Sequence, residues 1–530
     1  MAIDSDGDLR GGGDGGGGAK RPRVDEQGDQ RQAAADEAVE VDRISVLPDE
    51  LRHRVLALLP LKAAIRTGAL ARRWRDLWKS RWTHHSSVEI HLRSGDDIPR
   101  ELDALEREPR PRRRLERFSL IVWACRLKPS QLRRFLGYAT ECGAEDLHVV
   151  HVGETSLNFH LPLSSPRLAR LSLRGFSIPR VSHYKGAQPF QALEVIMLHS
   201  ISIAQSAFKK MMALCPSLRT LDLRHCSGDL FDRRSEIILP ENLRSVTFVE
   251  CTGDIRLDTS ALPNLRSFRY GSCRRFSTFS LPVDAALAEL YVTFPQSSWF
   301  SDLFGKALPH DLSGLTVLTL CSNALKIAMS GVKDDAQLAK FSNLPSLREL
   351  QLVMRNMNRG FLSDIYMFIK ACRCSNLERL FVQLPAMFIR SLYDKVAEEP
   401  PQDGLDKLTL VKITGFYWCC SDVELVVFLL KKASSLQKII LDPVIIQTFL
   451  YRIRKRALTE TWTPSRTPTW SRRGKVEITP LNEPPLNVPG VEAAELLLLK
   501  EAVITGKIVL EDRESDDVAT QPFHSEILLH

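Results

Sequence analysis

The sequence predicts an α/β chain: three short helices on the N-terminal side, then a long coil of parallel strands with helices and loops on its convex side. Three observations predict it. The spacing Leu-x-x-Leu-x-Leu, with other apolar residues standing in for leucine, recurs thirteen times between Leu115 and Leu441, and each copy gives a strand whose last two apolar residues point inward. Apolar residues make up 44% of the 530 residues, enough for an extended core. Between Asp42 and Trp82 the apolar spacing follows the helical period instead.

Residues 1–40 precede both regions. Gly11 to Gly18 is nearly all glycine and its flanks are acidic, so this tail is expected to stay disordered. Within it, Lys20-Arg21-Pro22-Arg23 is read as solvated charge, because four residues are too few for a nuclear-entry signal.

The first helix is entered through Leu47 and Pro48; proline at the opening position presets φ and gives up only a donor that would lack a partner anyway. Asp49 and Glu50 then sit at the positive end of the helix dipole. Leu51, Val55 and Leu58 recur at i, i+4, i+7, while Leu56 and Leu59 widen the stripe beyond what one neighbouring helix would cover. Pro60 ends this helix. A second runs through Ala64, Ile65, Ala69 and Leu70, and a third places Trp74, Leu77 and Trp78 among Arg72, Arg73 and Arg75. Three short helices in about 40 residues cannot close a core of their own, so their apolar faces need a partner.

These residues resemble the F-box, through the Leu-Pro start at Leu47-Pro48, the Leu-Pro-Leu break at Leu59-Pro60-Leu61 and the closing Arg73-Trp74 with Leu77-Trp78. The resemblance covers residues 42–82 and implies docking to a Skp-family adaptor, and through it to a cullin-RING ubiquitin ligase. It implies Leu47, Pro48, Leu51, Val55, Leu56, Leu59, Pro60, Leu61, Ile65, Leu70, Trp74, Leu77 and Trp78 as the docking residues. Two departures weaken the second helix: Ala63 forgoes a polar cap at roughly 1 kcal/mol, and Gly68 costs about 1 kcal/mol relative to alanine.

Residues 88–410 carry most of the recurring strands. Clear copies are Leu168/Leu171/Leu173, Leu193/Ile196/Leu198, Leu218/Leu221/Leu223, Leu243/Val246/Phe248 and Leu265/Phe268/Tyr270. Leu115/Phe118/Leu120 and Leu147/Val150/Val152 extend the series backwards, and further copies run on to Leu436/Ile439/Leu441. Starts lie 21 to 32 residues apart, close to the period of leucine-rich repeats. Cys226, Cys251, Cys273 and Asn323 stand eight residues after the first leucine of their copies, the slot where a small side chain fills the bend and a polar one bonds the backbone.

In such a stack each rung covers its neighbour's apolar edge. The alternate side chains face the inner curve and make a broad recognition surface; Arg170, Arg174, Asp222, Arg224, Arg269 and Glu349 are candidates to meet a target protein. A cluster of these arginines would favour an acidic or phosphorylated ligand. Scattered charge reads as a solvated face.

Residues 411–443 read as strand, turn, amphipathic helix and strand, with Val423, Val426, Val427, Leu429 and Leu430 on the helix face. Ile413-Thr414-Gly415-Phe416, Leu429-Leu430, Ala433 and Leu436 resemble the FBD module, which points to the plant F-box/FBD/LRR family. We read this segment as the last rungs and their cap. Residues 444–530 are expected to be divergent and partly unstructured, with one amphipathic helix at Glu492 to Ile504 through Leu496, Leu497, Leu499 and Val503, and a strand at Lys507 to Leu510.

Several function classes are excluded on the same grounds. No G-x-S-x-G, P-loop or H-E-x-x-H motif is present, so no enzyme is expected, and no cofactor. Cysteines standing one per rung cannot converge on zinc, so no metal is expected either. A net charge of +8 is modest for this length, and the run from Arg107 to Arg117 is broken by Pro109 and Pro111 without aromatic platforms, which argues against nucleic acid. No apolar run reaches 18 residues and no signal-peptide core is present, so neither a membrane span nor secretion is expected. The chain should be cytosolic or nuclear with reduced cysteines. The reading is the substrate-recognition subunit of an SCF-type ubiquitin ligase; the alternative is a repeat scaffold that engages no ligase.

Overall fold

A computed structural model describes residues 47–58, residues 87–443 with short breaks of which the longest is 385–404, residues 491–510 and residues 521–524. The glycine-rich tail, the second and third helices of the N-terminal region and the proline-rich stretch after residue 443 lie outside the described residues. The chain divides into two compact units, residues 1–84 and 85–530. In the first unit one helix is described, α1 (Asp49–Leu58). It begins where Pro48 predicts: the Arg52 amide donates to the Pro48 carbonyl at 3.0 Å, closing the first turn.

The second unit is built on one sheet. Among the described residues fifteen parallel strands pair strictly in chain order. They are β1 (Ser87–Leu92), β2 (Arg117–Val122), β3 (Asp146–His151), β4 (Arg170–Arg174), β5 (Val195–His199), β6 (Thr220–Arg224), β7 (Ser245–Val249) and β8 (Ser267–Gly271). Then follow β9 (Glu289–Thr293), β10 (Val317–Cys321), β11 (Glu349–Val353), β12 (Arg379–Gln383), β13 (Leu410–Phe416), β14 (Lys438–Pro443) and β15 (Ile508–Leu510). Parallel pairing in chain order is what a repeating coil requires, because each rung returns the chain to the same edge one strand further on. Leu171 pairs with Ile196, Ile196 with Leu221, Leu221 with Val246 and Val246 with Phe268, so like positions stack across the sheet. All five are fully buried.

The thirteen sequence copies correspond to β2 through β14. One copy is out of phase: β3 pairs Leu147 with Leu171 and Val149 with Leu173, so its inward residues are Leu147 and Val149. Val150 is half-buried and Val152 is exposed. The approach position belongs to Ala144, too small to look like the missing leucine, yet buried. Two further strands flank the thirteen. At one edge β1 turns Ile90 and Leu92 inward against β2. At the other, β15 pairs with β14, so residues 411–443 are not the last rungs.

The helices bring their apolar sides into the same core as the strands. Those longer than two turns are α2 (Asp97–Arg107), α3 (Pro129–Glu141), α4 (Gln205–Ala213), α5 (Ser322–Ser330), α6 (Phe361–Cys372), α7 (Cys420–Lys432) and α8 (Ala493–Ile504). Helix α7 is buried nearly all round, including Leu425 and Phe428, wider than the predicted face. The cause is a neighbour on each side: the Tyr366 ring of α6 lies 4.7 Å from that of Phe428, and Glu495 of α8 meets Lys431 at 3.1 Å. Helix α8 buries Leu496 and Leu499 as expected, but Leu497 points outward and Ala502 takes the inward place.

Where β13 carries Gly415, the pairing with β14 slips by one residue. Its φ is +72°, and a Cβ there would collide with the Leu384 carbonyl oxygen, so glycine is required on both counts. The repeat slot also behaves as its residue types predict. Cys226 and Cys251 are buried, the Cys226 thiol lies 3.1 Å from the Leu198 carbonyl oxygen one rung back, and the Asn323 amide donates to Phe294 oxygen at 2.9 Å. Cys273 lies outside the described residues.

Candidate functional site

Two surfaces carry the predicted site residues, one in each unit. On α1, Leu51 and Val55 are 45% and 39% exposed, an apolar i, i+4 pair turned to solvent. Pro48 is exposed and Leu47 half-buried. Arg52 is fully buried, with its Nε donating to the Leu47 carbonyl at 2.8 Å, which fixes the chain entering the helix. Leu56 was expected on the docking face, but it is fully buried. It follows Val55 directly, about 100° further round the helix, so the described apolar surface is narrower than the sequence stripe. Leu59, Pro60, Leu61, Ile65, Leu70, Trp74, Leu77 and Trp78 lie outside the described residues, as do Ala63 and Gly68.

In the second unit the side chains that alternate with the core residues form the opposite, polar face of the sheet. Its middle row runs through His148, Ser172, Met197, Asp222, Thr247, Arg269, Tyr291, Thr319 and Gln351, joined rung to rung by the strand register. Around β3 to β5 this face is partly open: Arg170 is half-buried and Arg174 exposed, and among the described residues neither makes an ion pair. Burial, and then the positive charge of Arg117, hold His148 below its ordinary value, so it is neutral.

Asp222 and Arg224 do not act separately. The guanidinium donates to both carboxylate oxygens, with two bonds of 2.8 Å, and His199 approaches to 3.7 Å. Burial pushes the Asp222 carboxyl upward, but the nearby His199 imidazole and the bonds from Arg224 outweigh it and the group stays below its usual range. Arg269 faces Glu289 at 3.6 Å. These pairings tie Arg224 and Arg269 to carboxylates of their own face.

Further along, the face closes. Glu349 is 1% exposed, and Thr319 and Gln351 are fully buried. Glu349 was expected to face a target; instead it binds groups of its own chain. Its carboxylate pairs with Arg379, accepts the Gln351 amide, and accepts the backbone amide of Phe523 at 2.6 Å. The Arg269 guanidinium stands 5.3 Å from the centre of the Phe523 ring. His524 is fully buried, its Nδ1 lies 2.5 Å from the Thr319 hydroxyl, and its ring meets Tyr291 edge-on at 5.4 Å. The only hydrogen on the Thr319 hydroxyl goes to Gln351 Oε1 at 2.9 Å, so Nδ1 of His524 is the donor to Thr319. Its Nε2 is buried with no hydrogen-bond partner among the described residues. Phe523 and His524 carried no repeat signal in the sequence, being an isolated pair some 174 residues from Glu349.

No helix among the described residues is long and apolar enough to cross a membrane. Comparison with known proteins finds two matching domains along the chain. Residues 114–466 match the leucine-rich-repeat domain described as At1g61320/AtMIF1, and residues 44–86 match the F-box domain. The FBD-associated F-box protein At4g10400 of Arabidopsis thaliana is 25% identical over 361 residues, 64% of this chain and 85% of that protein. The FBD-associated F-box protein At5g38590 of the same plant is 24% identical over 299 residues, 53% of this chain and 67% of that protein. The putative F-box/LRR-repeat protein At5g54820, also from Arabidopsis thaliana, is 21% identical over 448 residues, 75% of this chain and 90% of that protein.

Proposed function

This chain belongs to the At1g61320/AtMIF1 leucine-rich-repeat family and carries an F-box domain, and from that premise we propose that it is the substrate-recognition subunit of an SCF-type ubiquitin ligase. F-box proteins with leucine-rich repeats are in general non-catalytic substrate adaptors of such ligases. The finer reading is that residues 44–86 dock a Skp-family adaptor, with Leu51 and Val55 among the contacts, and that the polar face of the sheet holds a target protein in the cytosol or nucleus. The observation that carries it is the F-box match followed in the same chain by a sheet of fifteen parallel strands among the described residues. The chain then contributes proximity: it makes an encounter between a target lysine and a charged ubiquitin carrier effectively local.

Proximity labelling from the full chain, with and without a proteasome inhibitor, tests this. A set of labelled proteins should accumulate at least twofold on inhibition, and that response should disappear in the Leu51→Asp, Val55→Asp double variant. Both positions are exposed, so the substitutions leave the fold intact. A labelled set indifferent to the inhibitor would instead support a scaffold that engages no ligase.

A further inference from the structure

We propose that the polar face of the sheet contains a peptide-binding site for an extended segment presenting an aromatic residue followed by a histidine, and that Phe523 and His524 occupy it as a displaceable ligand from the chain itself. The proposal rests on the reading of this face as the target surface, and it names the chemistry of the target.

The arrangement has the three parts that recognise such a segment. Glu349 offers a carboxylate, only 1% exposed, that accepts a backbone amide. This contact reads main chain and fixes where the segment lies. Arg269 covers the face of the aromatic ring, an attraction that ring types other than phenylalanine would share. Thr319, oriented by its own bond to Gln351, accepts a hydrogen from a neutral imidazole, and the edge of Tyr291 closes the other side. All of these groups come from four rungs, β8 to β11, held in register by the sheet, so the site is built before anything enters it.

The chain's own segment fits this site imperfectly. Among the described residues His524 Nε2 is buried as an acceptor with no donor, an unmade hydrogen bond that weakens its hold. Burial, and then the charges of Arg269 and Arg224, also keep this imidazole from taking a proton while it is docked. A target segment that supplied a donor to that nitrogen would displace the tail. A self-ligand of this kind raises the affinity a target needs, because the binding-competent face is exposed only in the fraction of molecules whose tail is undocked.

The test uses a fluorescent peptide of residues 518–526 and the full chain, with no adaptor or ligase present, so its outcome is independent of the ubiquitin reading. A Phe523→Ala, His524→Ala chain should bind the peptide at least tenfold more tightly than the wild type does. Adding Glu349→Gln to that chain should cost at least tenfold, and the peptide with alanine at its Phe523 position should not bind. Equal binding by the wild type and a folded double variant would overturn the proposal. Should the double variant not fold, hydrogen exchange on the wild type decides: excess peptide should speed exchange at the Phe523 amide at least fivefold, and no change on adding peptide would overturn the displaceable site.

Discussion

The two halves of the polar face use the same strands in the same register, yet they differ in what they can bind. From β3 to β5 the alternate side chains, among them Ser172, Arg170 and Arg174, are half-buried or exposed. From β9 to β11 the equivalents, Tyr291, Thr319, Glu349 and Gln351, are buried. The repeat therefore determines only the direction of a side chain. Whether that side chain is a free recognition group depends on what else lies across it. The chemistry follows the environment: a carboxylate as buried as Glu349 persists only with Arg379, Gln351 and the Phe523 amide around it, whereas Arg174 needs no partner.

The largest expected effect breaks the closed half alone. Glu349→Ala removes the ion-pair partner of Arg379 and the acceptor of two amides, and should destabilise the second unit by about 2–3 kcal/mol, below the full cost of breaking a buried pair because Arg379 is partly exposed. Arg170→Ala, in the open half, should stay within about 0.5 kcal/mol. Urea titration of both variants makes the contrast, and equal losses would erase it.

Acid should separate the halves next. Facing His524 are Arg224, Arg269, Tyr291, Thr319 and, through Phe523, Glu349; burial and the two arginines hold its pKa well below 6.5. The undocked imidazole would titrate near its ordinary value, so docking is at full strength above pH 6.5. Below it the undocked state binds a proton that the docked state does not, and docking weakens by up to about tenfold, or about 1.4 kcal/mol, per pH unit. Phe523 amide protection, measured by hydrogen exchange and corrected for the intrinsic pH dependence of the exchange, should therefore fall between pH 6.5 and 5.5. The amides of β4 should hold theirs.

A smaller effect sharpens the assignment of the imidazole contact. Thr319→Val keeps the shape but loses the hydroxyl that His524 donates to, and should weaken docking by about 1 kcal/mol, roughly fivefold in Phe523 amide exchange. Unchanged exchange would remove Thr319 from the site.

Much of this architecture was legible. The period-2 alternation with a leading leucine located β2 and β4 through β14, because burial on one face is what fixes a strand's register. Position Leu147 misled, since Ala144 holds the leucine's place with too little side chain to register as a repeat. The extension through α8 to β15 was visible as separate pieces but not as a rung, because the proline-rich interval hides the period. On α1 Leu51 and Val55 face solvent as their spacing predicts, yet Leu56 turned inward, which spacing alone cannot decide. The closure of the face by Phe523 and His524 was not legible at all. It depends on a pairing across more than 170 residues with no local pattern to announce it.

The most direct measurement of the central claim is the affinity of the full chain for a purified plant Skp-family adaptor by titration calorimetry. A one-to-one complex is expected, weakened at least tenfold in the Leu51→Asp, Val55→Asp variant and unchanged in Glu349→Gln. No complex with the wild type, or equal affinity for the double variant, would contradict it.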